Sequence, residues 1–199
     1  IDIGANIGYF TMLSRSLVGP NGRVCAVEPN VNNLRMIEAS RRINGFVNLD
    51  ILGCAASDDT ELMTLHSEFS NGSVASAREV RDLWTATIVP AVVLDDLVGN
   101  RRVDFIKVDV EGNELRALLG LEKTIERCRP FIVSEFSAAG IVGGAETYLD
   151  FFLNRRYELG VLTKTKGMQF CGRVKSQVMS HFVANGTDHI DIVAMAKNA

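Results

Sequence analysis

The sequence predicts an α/β fold with a mostly parallel sheet, and three observations lead there. Short apolar runs alternate with amphipathic stretches along the chain. The length of 199 residues and the 47% apolar composition suit one globular domain with its own core. The first two apolar runs stop at a glycine turn and at an acid, the places where an open sheet of this class forms its ligand crevice.

Taken in order, Ile1 to Ile3 is the end of a first strand and Phe10 to Val18 the amphipathic helix after it. Val24 to Val27 is the second strand, followed by a helix with its apolar residues between Leu34 and Ile43, and Leu49 to Ala56 is the third strand. Strands alternating with helical patterns imply right-handed crossovers and parallel pairing. Between Asp58 and Asp96 that rhythm breaks. Leu62 to Leu65 and Thr87 to Leu94 read as strands around a polar loop, Phe69 to Arg81, which contains Asn71, Gly72 and Ser73. Residues 59–97 are therefore expected to form a β-rich insertion within a single domain spanning 1–199.

The alternation then resumes. Phe105 to Val110 is a strand and Leu115 to Ile125 a helix, with Leu115, Leu118, Leu119 and Leu121 on its core side. Phe131 to Val133, Tyr148 to Leu153 and Tyr157 to Leu162 follow as strand, helix and strand. A long connection with a helix at Val174 to Phe182 leads to a final strand, Ile190 to Ala196.

A formal net charge of -3, with charged residues dispersed, gives no nucleic-acid footprint and no polybasic membrane patch. No apolar stretch reaches the length of a membrane span, and no leader is visible. Cys25, Cys54, Cys128 and Cys171 lie far apart, without CxxC or zinc-ligand spacing, and are read as free thiols of a reducing, cytoplasmic setting. The sequence opens at Ile1, inside a strand and without Met, so the expectation is a fragment with a truncated first strand.

Asp2-Ile3-Gly4-Ala5-Asn6-Ile7-Gly8 joins the first strand to the first helix. Glycines let the turn close tightly and let a ligand approach the backbone. Asn6 is among the non-glycine residues that tolerate positive φ. A pyrophosphate fingerprint would need glycine where Asn6 stands. Asp2 instead places a carboxylate that could accept bonds from the ammonium of an amino-acid moiety, or could cap the helix.

Glu28 follows the second strand, at the distance where an acid commonly binds a ribose diol. Pro29 ends the strand and Asn30 can cap the next helix. The small residues of Cys54-Ala55-Ala56-Ser57-Asp58 leave space for a flat ring, with Ser57 or Asp58 available to its amino group. In the fourth strand Lys107 and Asp109 lie two apart on one face of a segment expected to be buried, so they pair with each other or with a ligand head. Asp109 and Glu111 fall at the carboxyl end, beside the crevice. Glu135, ending the next strand, either lines the acceptor side or meets water.

Together DIGANIGYFT, VEPN at Val27 to Asn30, VVLDDL at Val92 to Leu97 and IKVDVEGNE at Ile106 to Glu114 resemble the FkbM family of methyltransferases. The resemblance runs from Ile1 to about Glu135. It implies a class I methyltransferase fold, a seven-stranded sheet with an antiparallel last strand, and S-adenosylmethionine (SAM) as methyl donor, typically to oxygen. Carried onto this sequence, it makes Asp2, Gly4, Ala5, Asn6, Gly8 and Tyr9 the methionine-binding turn. Glu28, Pro29 and Asn30 become the ribose edge, and Ala56, Ser57 and Asp58 the adenine edge. Lys107, Asp109 and Glu111 become the reaction side, with Asp109 also touching the cofactor. In many relatives, residues upstream complete the first strand and cover the acceptor pocket.

The expected reaction is methylation of a hydroxyl on a sugar, polyketide or other small metabolite, with Asp109 or Glu111 as base and no metal. His66, His181 and His189 rank below them. Two other readings stay open: an NAD-dependent oxidoreductase, which shares Glu28, and a non-catalytic SAM-binding module.

Overall fold

The computed structural model describes residues 1–68, 71–76, 87–138, 140–163 and 165–197. In chain order these form β1 (Asp2–Ile3), α1 (Tyr9–Leu17), β2 (Val24–Val27), α2 (Val31–Ile43), β3 (Leu49–Leu52) and β4 (Ala55–Ala56). Next come β5 (Glu61–Glu68), β6 (Asn71–Ser76), β7 (Thr87–Val92), α3 (Leu94–Val98), β8 (Phe105–Val108), α4 (Glu114–Leu119) and α5 (Glu122–Cys128). The rest is β9 (Phe131–Phe136), α6 (Ala145–Asn154), β10 (Tyr157–Thr163), β11 (Gly167–Gly172), α7 (Lys175–Asn185) and β12 (Ile190–Ala196).

The main sheet has the order β11-β10-β12-β9-β8-β1-β2-β3. Its strands from β3 to β9 are parallel. Beyond β9, each of β12, β10 and β11 is antiparallel to its neighbour. Apolar residues cover both faces, which is why these strands read as continuous apolar runs. Ile3, Val27, Ile106, Val108 and Ile132 enter one core with α4 to α6, while Ala26 and Val24 join Ile37 and Leu49 on the other side. The chain builds β1, β2 and β3 outward, then returns to lay β8 on the opposite side of β1. That reversal opens a crevice at the carboxyl ends of β1 and β8.

The fold class is the predicted one, with five corrections of detail. The main sheet has eight strands, because β11 adds an antiparallel edge beside β10. It buries only Cys171, so it leaves almost no apolar pattern to read. Leu49 to Ala56 is divided between two sheets: β3 stays in the main one, and β4 pairs with β7 in a second sheet of order β4-β7-β5-β6. The expected loop Phe69 to Arg81 contains β6, whose backbone pairs with β5. Its other residues lie outside the described ones. Thr87 to Leu94 stops as a strand at Val92, and Leu94 opens the short helix α3.

The fifth correction has a specific cause. Leu115 to Ile125 is not one helix, because the chain breaks at Gly120 between α4 and α5. A Cβ on Gly120 would sit 2.1 Å from the carbonyl oxygen of Ser57, so the backbones touch where a side chain would otherwise stand. Asp95 then takes over the start of α5, its carboxylate accepting from Lys123 N and Thr124 N at 2.9 and 3.0 Å. Among the described residues no helix is long and apolar enough to cross a membrane.

Candidate active site

The first turn is wedged between two strands. Gly4 N and Ala5 N both donate to Val27 O, at 3.0 and 3.1 Å. Gly4 has φ 74°, and a Cβ there would fall 1.8 Å from Asp109 O. Only glycine fits such an approach. Asn6 takes φ 49°, the positive region its side chain tolerates. Gly8 stands at the N-cap of α1, and Tyr9 beyond it is exposed, edge-on to Phe10 at 5.2 Å.

Asp2 and Lys107 are register partners on β1 and β8. Asp2 is buried; its Oδ2 accepts from Thr11 Oγ1 at 2.5 Å, and its Oδ1 lies 3.7 Å from Lys107 Nζ. Lys107 Nζ also reaches Asp109 Oδ2 at 3.1 Å and stands over the Phe10 ring at 5.2 Å. The ammonium facing Asp2 is thus the chain's own. The pairing keeps the buried Asp2 charge compensated by the partly buried Lys107, as burial in a parallel sheet requires.

Glu28 closes β2 as a hub. Its Oε2 accepts from Asn6 N at 2.8 Å, and its Oε1 from Asn30 N at 2.9 Å and Asn33 Nδ2 at 3.2 Å. A carboxylate offers about four acceptor positions, so a share of Glu28 is still available to a ligand. Asn30 caps α2 by accepting from Asn32 N at 2.9 Å.

These strand ends border an open cavity of about 210 Å³. Gly4, Asn6, Glu28 and Pro29 form one wall, and Cys54, Ala55, Ala56 and Val74 a small-residue, largely apolar one. Asp109, Val110, Glu111, Asn113 and Glu135 form the third. Of the residues singled out from sequence, the cavity brings together Gly4, Asn6, Glu28, Pro29, Cys54, Ala55, Ala56, Asp109 and Glu111, and Glu135 lines it too. Asp2, Ala5, Gly8, Tyr9, Asn30, Ser57 and Lys107 do not line it. Asp58 is turned aside: its carboxylate holds Arg116 Nε at 2.6 Å, and Arg116 also reaches Glu61 at 2.5 Å.

Val74, Asn113 and Val110 were not anticipated. Val74 comes from β6 in the second sheet, and Asn113 Nδ2 donates to its carbonyl at 2.8 Å, pinning that sheet over the cavity. The signal for Val74 was one branched apolar residue in the run NGSVAS, otherwise polar or small. Asn113 carried none beyond standing before a helix.

The carboxylate wall is shaped by Glu114. Its Oε1 accepts from Val110 N and Gly112 N, at 3.1 and 3.0 Å, and so fixes the loop in which Glu111 adopts φ 54°. Positive φ in a non-glycine residue stores strain and clusters at functional sites. Burial pushes the Glu114 carboxyl above its ordinary value, against the pull of those amide bonds.

Glu135, on β9, is pushed from 4.5 up to about 7, by burial first and then by the charges of Asp109 and Glu111. His189 Nδ1 lies 3.8 Å from Glu135 Oε1 and 2.8 Å from Asp188 Oδ1. Partial burial pulls His189 down, but the Asp188 bond and the Glu135 charge outweigh it, and the net shift is upward. His66 and His181 lie on β5 and α7, away from the cavity. Among the described residues no group of three His, Cys, Asp or Glu is arranged to hold a metal ion.

Comparison with known proteins adds an independent line. The family described as methyltransferase FkbM domain matches residues 2–159. No curated protein matches the sequence significantly. Among solved structures, the methyltransferase FkbM from Methylobacillus flagellatus KT superposes with TM-score 0.61 at 20% identity, over 97% of this chain. The present chain spans only 42% of that protein's length. Precorrin-6y C5,15-methyltransferase from Geobacter metallireducens GS-15 gives TM-score 0.50 at 18% identity, over 98% of this chain and 78% of its own. Aeropyrum pernix fibrillarin, solved with natively bound S-adenosyl-L-methionine, gives 0.52 at 13% identity, over 98% and 64%. At these identities the superpositions establish a shared fold.

Proposed function

Because the chain belongs to the methyltransferase FkbM domain family, we propose that it transfers a methyl group from SAM to a hydroxyl of a small-molecule or glycan acceptor. The observation that carries this reading is one cavity bordered by three chemically different walls. Glu28 offers acceptor positions to a ribose diol. Cys54, Ala55, Ala56 and Val74 offer a flat, uncharged surface to a purine. Asp109 and Glu111 offer negative charge to a cationic group. SAM carries all three counterparts, whereas a dinucleotide would bring phosphates toward the carboxylates, where like charges repel.

When bound, SAM supplies an electrophilic methyl carbon attached to a positively charged sulfur. The chain's contribution is then positional. Holding the reacting atoms in line is worth up to roughly 7 to 11 kcal/mol in favourable cases. Gly4, Asn6 and Glu28 form a rigid donor side, tied together by backbone bonds. Lys107 acts beneath the floor, holding Asp2 and Asp109. Its part is to fix their orientation. The four free thiols support a reducing, cytoplasmic setting.

The test has two steps. Calorimetry with SAM and with NADH on the full-length protein should give saturable binding of SAM alone. Incubation with methyl-labelled SAM and cell extract, followed by mass spectrometry, should then give a labelled small molecule or glycan. NADH binding in place of SAM would overturn the reading. SAM binding with no labelled product would leave a binding module in its stead.

A further inference from the structure

We propose that Glu135, with His189 beside it, is the residue that takes the acceptor's hydroxyl proton. The proposal rests on the methyl-transfer reading above and moves the base away from the loop after β8.

Three carboxylates reach this end of the cavity, and their surroundings separate them. Asp109 is held by the Lys107 ammonium at 3.1 Å, and its side chain is 43% exposed. That ion pair already commits its Oδ2. Glu111 is exposed, so water competes for its lone pairs. Glu135 is different. Its side chain is 19% exposed, and among the described residues no donor lies within hydrogen-bond distance of its carboxylate. Among the described residues the His189 ring approaches it, with Nδ1 3.8 Å from Oε1.

The groups around Glu135 act in opposite senses. Asp109 and Glu111 after β8, and Glu114 on α4, raise its proton affinity. His189, leading into β12, lowers it. Asp191 is its register partner on β12. On α6, Tyr148 donates its hydroxyl to the Glu135 carbonyl at 3.2 Å, fixing the backbone but leaving the carboxylate uncommitted. A base whose proton affinity lies near the working pH is the efficient kind.

Its place along the sheet is equally suited. From β2, which Glu28 follows, to β9 there are three strand spacings, about 14 Å. Donor site and base therefore stand at opposite ends of one crevice, with the reacting atoms between them. In the step, the acceptor oxygen bonds to the methyl carbon as its proton passes to Glu135. The carbon–sulfur bond breaks with its electron pair going to sulfur, so the sulfonium becomes a neutral thioether. Glu135 then returns the proton to solvent on the His189 side.

The full-length protein and its Glu135→Gln variant are incubated with methyl-labelled SAM and cell extract, with SAM affinity measured in parallel by calorimetry. The expectation is SAM affinity within about twofold and labelling slowed by about 10² to 10⁴. Wild-type labelling should rise with pH through a midpoint near 7. His189→Gln should move that midpoint upward, since a neighbouring positive charge is lost. Equal labelling by E135Q overturns the proposal while leaving methyl transfer standing. Loss of SAM binding in a folded E135Q overturns it as well, making Glu135 a cofactor ligand. No labelling by the wild type removes the methyl-transfer reading and this proposal together. Should E135Q fail to fold, carboxyl-carbon NMR titration of the wild type decides. A Glu135 midpoint in the ordinary carboxylate range overturns the assignment.

Discussion

The backbone amide of Asn6 donates to Glu28 Oε2 at 2.8 Å, across 22 residues of sequence. The glycine turn and the end of β2 are therefore one unit. Glu28→Ala leaves Asn6 N, Asn30 N and Asn33 Nδ2 without this acceptor, and should cost about 2 to 4 kcal/mol in urea unfolding. Glu28→Gln keeps one carbonyl acceptor; it should cost less stability yet still weaken SAM binding at least tenfold by calorimetry. Equal SAM affinity in E28Q would remove Glu28 from the donor site.

Gly4→Ala tests the wedge between β1 and β8. The new Cβ meets Asp109 O at 1.8 Å, at a φ that alanine disfavours. Loss of about 2 to 4 kcal/mol is expected, from overpacking and backbone strain together. Denaturant midpoints measure it. A near-neutral G4A would show that the two strands separate easily.

Lys107→Met tests the buried pairing under the cavity. Asp2, with Oδ1 making no hydrogen bond, loses the ammonium 3.7 Å away. Breaking a buried pair from one side should cost about 3 kcal/mol. The double variant Asp2→Asn/Lys107→Met should recover part of that loss, because no uncompensated charge is left buried. A double-mutant cycle on unfolding free energies reads the coupling directly.

Stability should fall as pH rises from about 4.5 to about 7 on account of Glu135. The sign follows from proton counting: in that window the folded state holds a proton at Glu135 that the unfolded state has released. The contribution is absent below the unfolded value and fully unfavourable above the folded one. Glu135→Gln should flatten this part of a melting-temperature profile and be the more stable form at pH 8. A profile unchanged by the substitution would show that Glu135 titrates normally.

How much of this was legible in the sequence depends on what each residue's role requires. Gly4, Asn6, Glu28, Asp109 and Glu111 could be picked out because the parallel core forces long apolar runs, and whatever polar residue ends a run must stand at the crevice. The pairing of Lys107 with Asp109 was legible from their two-residue spacing; the share taken by Asp2 depends on strand register. Strand β11 was not legible, since an edge strand that buries only Cys171 has no periodic signal. The break at Gly120 was hidden too, because its cause is Ser57 O, far away in sequence. Glu135 was balanced between cavity and water, and its desolvation depends on Asp109, Glu111 and His189, which come together only in space.

The bond from Asn113 to the Val74 carbonyl ties the far edge of the second sheet to the loop before α4 through a main-chain acceptor, which any residue in position 74 would present, while Arg116 holds its near side through Asp58 and Glu61. The fastening at Asn113 therefore depends on where the β6 backbone runs, and the side chain at position 74 is left to fill the second sheet's own core and the cavity wall. A change of residue there would alter the outline of the space beside Ala55 and Ala56 and leave the tie to Asn113 in place.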